Sequence, residues 1–171
     1  MLRFCARNYH RSRHRRTHMI ALIQRVSSAS VTVAGQQIGA IEGGLLALIG
    51  VQPTDTESTA ERLIQRLIAY RVFPDEAGRM NCSLAETRGG LLLVPQFTLA
   101  ADTRKGNRPG FSTAAPPGRA AALFDHLCVL ARQAHPMVQT GRFGADMSVA
   151  LVNEGPVTFW LQVGEATEVS V

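Results

Sequence analysis

Apolar residues follow two different periods along this chain. Most of them fall in short runs that are bounded by Gly, Pro or Asn residues, a pattern typical of strands. Two longer segments repeat their apolar residues every three or four positions, which predicts helices. The predicted strands cover residues 20–26, 29–33, 36–41, 45–51, 91–94, 147–152 and 156–163.

The two predicted helices have recognisable ends. Thr54 and Glu57 have the spacing of a capping box at the start of the first helix. Pro74 disfavours helical geometry in the residue before it, so this helix should stop by Phe73. The second helix lies between prolines, over residues 117–135. The apolar stripe of each helix predicts that it covers a core.

Length and composition predict one domain. The chain has 171 residues, of which 46% are hydrophobic, and this is enough for a single core. No apolar run approaches the roughly 20 residues that a membrane-spanning helix needs. We therefore expect a soluble, cytoplasmic protein with no membrane partner.

The net charge of +5 comes from the N-terminus. Residues 1–18 contain six arginines and no acidic residue, which leaves 12 basic against 13 acidic residues from Met19 onward. This composition resembles that of a transit peptide or of an RNA-binding arm. Because a clean strand pattern begins at Met19, we instead expect residues 1–18 to be a disordered arm or a misassigned start. Residues 19–171 should then form the domain.

The cysteines and histidines do not suggest a metal site. Cys5, Cys82 and Cys128 are far apart and include no CxxC pair. Their odd number and their spacing favour a reducing compartment over disulfides. His126 and Cys128 lie two residues apart on a predicted helix and so point to different faces. We predict neither a metal nor a cofactor.

The segment Asn153–Thr158, with the sequence Asn-Glu-Gly-Pro-Val-Thr, is the first candidate for a functional site. Gly155 leaves the backbone free of side-chain bulk, and Pro156 fixes its own φ and permits a cis peptide before it. Such a pair can direct bare carbonyl groups into a pocket. The alternative is an ordinary turn between two antiparallel strands, which the local pattern by itself favours.

Gln96 and Thr98 form a second candidate, at the end of an apolar run. If the strand continues through residues 95–99, these two side chains share one face and border a cleft. An exposed strand face is the alternative.

The loop over residues 102–116 is the third candidate. Arg104, Lys105 and Arg108 alternate in it with glycine, asparagine and one phenylalanine. This composition suits contact with the end of a nucleic acid, and equally a solvated surface.

Several common catalytic motifs are absent, including GxSxG, the P-loop, HExxH and GxGxxG after a strand. The candidate side chains Gln96, Thr98, Asn153 and Thr158 are all neutral. A reaction at this site would therefore depend on backbone donors and on groups of the substrate rather than on a strong base.

The chain from Met19 to about Val163 resembles the D-aminoacyl-tRNA deacylases nearly end to end. The segments that carry the resemblance are MIALIQRVSSASVTV at 19–33, QFTLAADT at 96–103, GNRP at 106–109 and TGRFGADMSVALVNEGPVTFWL at 140–161. The resemblance implies an α/β fold, a compact single domain of mixed, β-rich sheets with two main helices packed on one side. It also implies a homodimer that hydrolyses the ester between a D-amino acid, or mischarged glycine, and the terminal adenosine of tRNA.

The resemblance also assigns substrate-binding residues. Gly155 and Pro156, joined by a cis peptide, would enter the partner's active site and present carbonyl oxygens to the substrate ammonium. An L side chain would collide there, whereas a D side chain would point to solvent. Asn153 belongs to the same motif, and Arg25 would hold the motif in orientation.

Gln96, Phe97 and Thr98 would form the catalytic segment. By resemblance, backbone N–H groups around Phe97 and Thr98 would stabilise the oxyanion, and the neighbouring ribose 2′-hydroxyl would assist. Thr98 as a nucleophile is the competing assignment, although the sequence shows no adjacent base to activate it. The basic loop would contact the tRNA end.

Two positions depart from the family pattern. Pro95 stands where Ser is usual, and it removes a hydroxyl and a backbone N–H while the amides of the next three residues remain. Gly110 stands where Ser is common, and it should loosen the basic loop. If Pro95 spoils the pocket, the alternative function is a non-catalytic tRNA-binding protein. A general small-ester hydrolase is a third alternative.

Overall fold

The computed structural model describes residues 18–164, so the predicted N-terminal extension, apart from His18, and residues 165–171 lie outside the description. Within it the elements follow the chain as β1 (Met19–Val33), β2 (Gln36–Ile41), β3 (Gly44–Gly50), α1 (Glu57–Ala69), β4 (Arg71–Pro74), β5 (Met80–Ser83), α2 (Leu84–Thr87), β6 (Gly90–Pro95), a 3₁₀ helix (Phe97–Ala100), α3 (Pro117–Ala134), β7 (Val138–Thr140) and β8 (Ser148–Val163).

Six strands form one mixed sheet in the order β2-β1-β3-β6-β7, and β8 pairs with β1 outside this path. β1 is antiparallel to β2, β3 and β8, whereas β3, β6 and β7 run parallel. The sheet curls until β2 approaches β7, so that a Cβ on Gly39 would lie 3.1 Å from the carbonyl oxygen of Thr140. β4 and β5 form a separate hairpin. The predicted α/β fold with mixed, β-rich sheets is confirmed.

The main core lies between one face of the sheet and the two long helices, as predicted. Leu63 and Leu67 of α1 and Leu127 of α3 are fully buried in it against Ile23 of β1. A second, smaller core fills the concave side of the curled sheet. It consists of Val26, Ala29, Val31, Ile41, Leu46, Leu92 and Val94.

β1 contributes to both cores because its faces exchange part-way along. Ile23 faces the helices, whereas Val31 faces the second core, although strict alternation would put both on one side of the sheet. The register with β8 is irregular between Val26 and Ser28, and such an irregularity exchanges the faces of a strand. β1 nevertheless runs without a break from Met19 to Val33, so the prediction of two separate strands in this region is wrong.

The predicted start of the first helix is also wrong. Residues 52–55 form a turn that contains Thr54, because the N–H of residue 55 donates to the carbonyl of residue 52 at 3.1 Å. α1 begins after this turn, at Glu57, and the capping box is formed by Thr56 and Thr59. The helix between the prolines is confirmed as α3.

Candidate functional site

Residues 153–158 form a bulge within β8. Gln24 of β1 pairs with Thr158 and Val26 pairs with Asn153, so the four residues between them on β8 face a single residue of β1. A bulge of this size pushes the chain out of the sheet. The prediction of a turn between two antiparallel strands is wrong. The residues on both sides of the bulge pair with β1 and belong to one continuous strand, β8.

Gly155 and Pro156 are exposed on this bulge, and the peptide bond between them is cis. Gly155 has a φ of +117°, a conformation that residues with a side chain rarely adopt. A Cβ at this position would lie 2.7 Å from Cγ2 of Val157 and 2.9 Å from Nη2 of Arg25. Both the conformation and the packing therefore require glycine.

Arg25 and Asn153 hold the base of the bulge. Nη1 of Arg25 donates to the backbone carbonyl of Val72 in β4 at 2.6 Å. Nδ2 of Asn153 donates to Oγ1 of Thr158 at 3.1 Å and so ties the two ends of the bulge together. Nε of Arg25 and Oδ1 of Asn153 are buried and have no partner among the described residues. Val72 was missed by the sequence analysis, which predicted no strand there.

The predicted strand through residues 95–99 is wrong, because β6 ends at Pro95 and a 3₁₀ helix begins at Phe97. Pro95 has no N–H to donate to a neighbouring strand, although the N–H of Gln96 still bonds to β3. Gln96 and Thr98 nevertheless come together. Nε2 of Gln96 donates to Oγ1 of Thr98 at 2.5 Å.

Two adjacent N–H groups are free at the start of the 3₁₀ helix. The N–H of Gln96 is already used, since it donates to the carbonyl of Ile49 at 2.7 Å, so the expectation that this amide remains available is wrong. Within residues 18–164, the N–H groups of Phe97 and Thr98 have no acceptor, as is usual for the first N–H groups of a helix. Two adjacent N–H donors suit the stabilisation of an oxyanion.

A cavity of about 650 Å³ opens beside these N–H groups. It lies at the C-terminal ends of the parallel strands β6 and β7, where open α/β sheets commonly bind ligands. Its wall includes the rings of Phe97, Phe111 and Phe143 and the side chain of Met147. Asp146 is the one charged residue among the described residues that line it. Apart from Phe97, these lining residues were not predicted as site residues.

The basic loop packs against the 3₁₀ helix, since the ring centroids of Phe97 and Phe111 are 5.1 Å apart. Arg104 forms an ion pair with Asp102. The N–H and carbonyl of Gly110 both bond to the backbone of Asp102, at 2.9 and 2.7 Å, so these two residues close the loop. Lys105 and Arg108 are exposed.

Asp55 lies in the turn that precedes α1. It is 1% exposed, and its Oδ2 accepts from the N–H of Gln52 at 2.7 Å. Arg119 of α3 donates to its backbone carbonyl at 2.8 Å. Burial raises the pKa of Asp55 to about 6, and the hydrogen bond from Gln52 and the charge of Arg119 limit that rise. This carboxyl therefore titrates close to neutral pH without lining the cavity.

Within one chain, the two groups of candidate residues lie at opposite ends of β3. Arg25, beside the bulge, pairs with Leu45 near the start of β3. Gln96 lies at the other end, where its carbonyl oxygen would be 3.4 Å from a Cβ on Gly50. The five-residue step from Leu45 to Gly50 spans about 17 Å. This separation along β3 is longer than one aminoacyl group.

Comparison with known proteins identifies the family. Residues 22–162 match the family model described as D-Tyr-tRNA(Tyr) deacylase. The chain belongs to this family. It is 66% identical over 145 residues to the D-aminoacyl-tRNA deacylase of Thioalkalivibrio sulfidiphilus, covering 85% of this chain and 97% of that protein. It is 62% identical over 144 residues to the protein of the same name from Azotobacter vinelandii, covering 84% and 99%.

Two solved structures share the fold of this deacylase. The c-Myc DNA Unwinding Element Binding Protein aligns with a TM-score of 0.79 and 37% identity, over 83% of this chain and 97% of that one. A probable eukaryotic D-amino acid tRNA deacylase aligns with a TM-score of 0.77, over 85% and 100%. At 18% identity, the second likeness shows the fold alone.

Membership of the deacylase family confirms the predicted resemblance. It also confirms the predicted enzyme class, a hydrolase that acts on an aminoacyl-tRNA ester. Among residues 18–164, no group of three His, Cys, Asp or Glu residues is placed to hold a metal ion. No helix in the same range is long and apolar enough to cross a membrane.

Proposed function

We propose that this deacylase hydrolyses the ester bond of D-aminoacyl-tRNA in the cytoplasm, where aminoacyl-tRNA is used for translation. The products are free tRNA and the amino acid, and glycine mischarged on tRNA is removed in the same way. L-aminoacyl-tRNA is rejected at Gly155 and Pro156. The observation that carries the proposal is the bulge of β8, which exposes a backbone without side-chain bulk.

The chemical step needs little help from side chains, because an aminoacyl ester is already activated. Water adds to the acyl carbon, the bond from that carbon to the ribose oxygen breaks, and one proton of the water ends on the ribose oxygen. The neighbouring ribose 2′-hydroxyl relays this proton. The free N–H groups of Phe97 and Thr98 stabilise the negative charge on the acyl oxygen, and Gln96 fixes the Thr98 side chain.

The bulge selects handedness by excluding one position for the side chain. The carbonyl oxygens of Gly155 and Pro156 accept hydrogen bonds from the substrate ammonium. With the ammonium held there, an L side chain meets the bulge, whereas a D side chain points to solvent. Glycine has no side chain to exclude. Arg25 and Asn153 keep the carbonyls in position through their contacts at the base of the bulge.

The bulge serves the active site of a second subunit in a homodimer. This arrangement is supported by the separation of about 17 Å between the two groups of site residues within one chain. It is also supported by large apolar side chains that β8 leaves exposed, since a subunit interface commonly covers such residues. Four large apolar residues on β8 are 36–58% exposed: Leu151, Val152, Phe159 and Trp160. A two-fold dimer through β8 covers them on both subunits.

The cavity beside Phe97 receives the terminal adenosine. Its volume of about 650 Å³ lies within the range usual for small-molecule sites. The rings of Phe97, Phe111 and Phe143 provide flat apolar surfaces for a base, and base-aromatic stacking does not depend on sequence.

The basic loop contributes unequally to tRNA binding. Lys105 and Arg108 are exposed and contact the tRNA backbone. Arg104 contributes less, because Asp102 already neutralises its charge.

Rates on D-tyrosyl-tRNA and L-tyrosyl-tRNA test the proposal. We expect the full chain to hydrolyse D-tyrosyl-tRNA and glycyl-tRNA while L-tyrosyl-tRNA stays intact. Comparable rates on the D and L substrates would contradict selection by the bulge. Inactivity combined with salt-dependent tRNA binding would identify a non-catalytic tRNA-binding protein. Equal activity on D-tyrosine methyl ester would identify a general esterase.

A further inference from the structure

A second groove, of about 470 Å³, lies next to the cavity, and the proposed reaction uses none of its charged residues. It runs between α3 and residues 140–143. Its charged side chains are Arg132, Arg142 and Asp125. Phe143 lines both the groove and the cavity, so the two adjoin at this ring.

Both arginines of the groove keep donors free for a ligand. Arg132 makes one long hydrogen bond, of 3.3 Å, from Nη2 to Oγ1 of Thr140. The guanidinium of Arg142 makes none within the part of the chain that the structure describes, and neither arginine forms an ion pair there. Both side chains are exposed. Arg104 is also exposed, but it differs from both in being paired with an acidic residue, Asp102.

The groove carries a net positive charge. The groove contains two guanidinium groups and one carboxylate, that of Asp125, which is exposed. Cys128 adds no charge at neutral pH, because burial raises the pKa of its thiol to about 12. A ligand that the groove attracts by charge is therefore an anion.

We propose that Arg132 and Arg142 bind the phosphodiester backbone of the single-stranded 3′ end of tRNA, at the nucleotides that precede the terminal adenosine. The inference rests on the proposed function, which places that adenosine in the adjoining cavity. A strand that leaves the cavity past Phe143 enters the groove directly, and its phosphates meet two guanidinium groups. Guanidinium forms paired, charge-assisted hydrogen bonds with phosphate oxygens.

The double variant Arg132→Gln, Arg142→Gln tests the groove on two substrates. D-tyrosyl-tRNA contains the phosphates, whereas 3′-O-D-tyrosyl-adenosine contains the same ester and no phosphate. We expect KM for D-tyrosyl-tRNA to rise about tenfold and the slope of log KM against log salt concentration to fall by about one to two. kcat for D-tyrosyl-tRNA should not change. For 3′-O-D-tyrosyl-adenosine, both kcat and KM should stay the same.

The double variant Arg71→Gln, Arg79→Gln is the control for net charge. It removes the same charge from exposed residues of the β4–β5 hairpin, which line neither the cavity nor the groove. An unchanged KM for D-tyrosyl-tRNA in the groove variant would overturn the assignment and leave the deacylase activity standing. An equal rise in the control would do the same, because it would show an effect of net charge alone.

Failure of the proposed function gives a different result, since the wild-type chain would then hydrolyse neither substrate. In that case, fluorescence anisotropy with an oligoribonucleotide ending in CCA tests the groove without catalysis. Weaker binding by the groove variant and unchanged binding by the control would support the assignment. Equal binding by both variants and the wild type would overturn it.

Discussion

Gly155 has no room for a Cβ, because Val157 and Arg25 both lie within 3 Å of where that atom would stand. Its φ of +117° adds backbone strain to any substitution. We expect Gly155→Ala to displace the carbonyls of the bulge and to lower kcat/KM for D-tyrosyl-tRNA about a hundredfold. Gly118→Ala is the control, since nothing lies within 4 Å of its Cβ position. Full activity in Gly155→Ala would show that the bulge is not part of the site.

Thr98 has a neutral partner, the side chain of Gln96, which donates to its hydroxyl. An amide cannot take up a proton from that hydroxyl, so the contact does not activate Thr98 as a nucleophile. We expect Thr98→Ala to retain most of the deacylation rate, because the backbone N–H groups remain. Single-turnover hydrolysis of D-tyrosyl-tRNA measures this. Near-total loss with an intact fold would make Thr98 the nucleophile.

Asp55 should make the stability of the protein depend on pH. Its pKa of about 6 in the folded protein exceeds the ordinary value of 3.8, so the folded protein binds the proton more tightly than the unfolded chain. The free energy of unfolding therefore falls as pH rises from 4 towards 6 and above, by up to about 3 kcal/mol from this group. Asp55→Asn should remove that fall in urea titrations across this range. Parallel pH profiles for the two proteins would contradict the assignment.

The parallel pairing of β3 with β6 begins where two glycines meet. A Cβ on Gly44 would lie 2.0 Å from the carbonyl oxygen of Gly90, so the strands can approach only without a side chain there. We expect Gly44→Ala to lower the free energy of unfolding by about 3 kcal/mol, because β3 and β6 must move apart. Gly43→Ala meets nothing within 4 Å and should change it by less than about 0.5 kcal/mol. Equal losses in urea denaturation would show that close packing is not the cause.

Local patterns predict the long elements well, because a period in the apolar residues can be recognised only over several repeats. Both long helices and the positions of the main strands follow from it, although β1 and β8 were each predicted as two strands. By contrast, β4, β5 and α2 have four residues each and no readable period. The bulge could not be predicted in this way either. It depends on the register between Gln24 and Thr158, which are far apart in sequence. The same limit hid the exchange of faces in β1.

The residues of the candidate site could be predicted, but their arrangement in space could not. Resemblance pointed to Gly155, Arg25 and the residues around Phe97. The use of the Gln96 N–H by a neighbouring strand could not be read from the sequence, because it depends on how two strands end side by side. The cavity wall was missed for a similar reason, since Phe143 reaches it from a connecting segment.

The long strand β8 lies at an edge of the sheet. β8 pairs with β1, and its other edge has no partner among the described residues. We expect Trp160→Glu to convert a dimer to a monomer in sedimentation velocity and to abolish deacylation, because each site then lacks the partner's bulge. Met137→Glu, at a residue that is 55% exposed beside β6, should remain dimeric and active. An active monomer of either the wild type or Trp160→Glu would rule out a shared site.

The pairing of β1 with β8 has a consequence for synthesis. Met19 pairs with Val163 and Thr32 with Ser148, so the first described strand finds its partner in the last. While the intervening residues are being translated, one edge of β1 has no partner strand and could pair with another chain. Pairing between distant segments also forms slowly. The nascent protein therefore completes this sheet only after β8 has been translated.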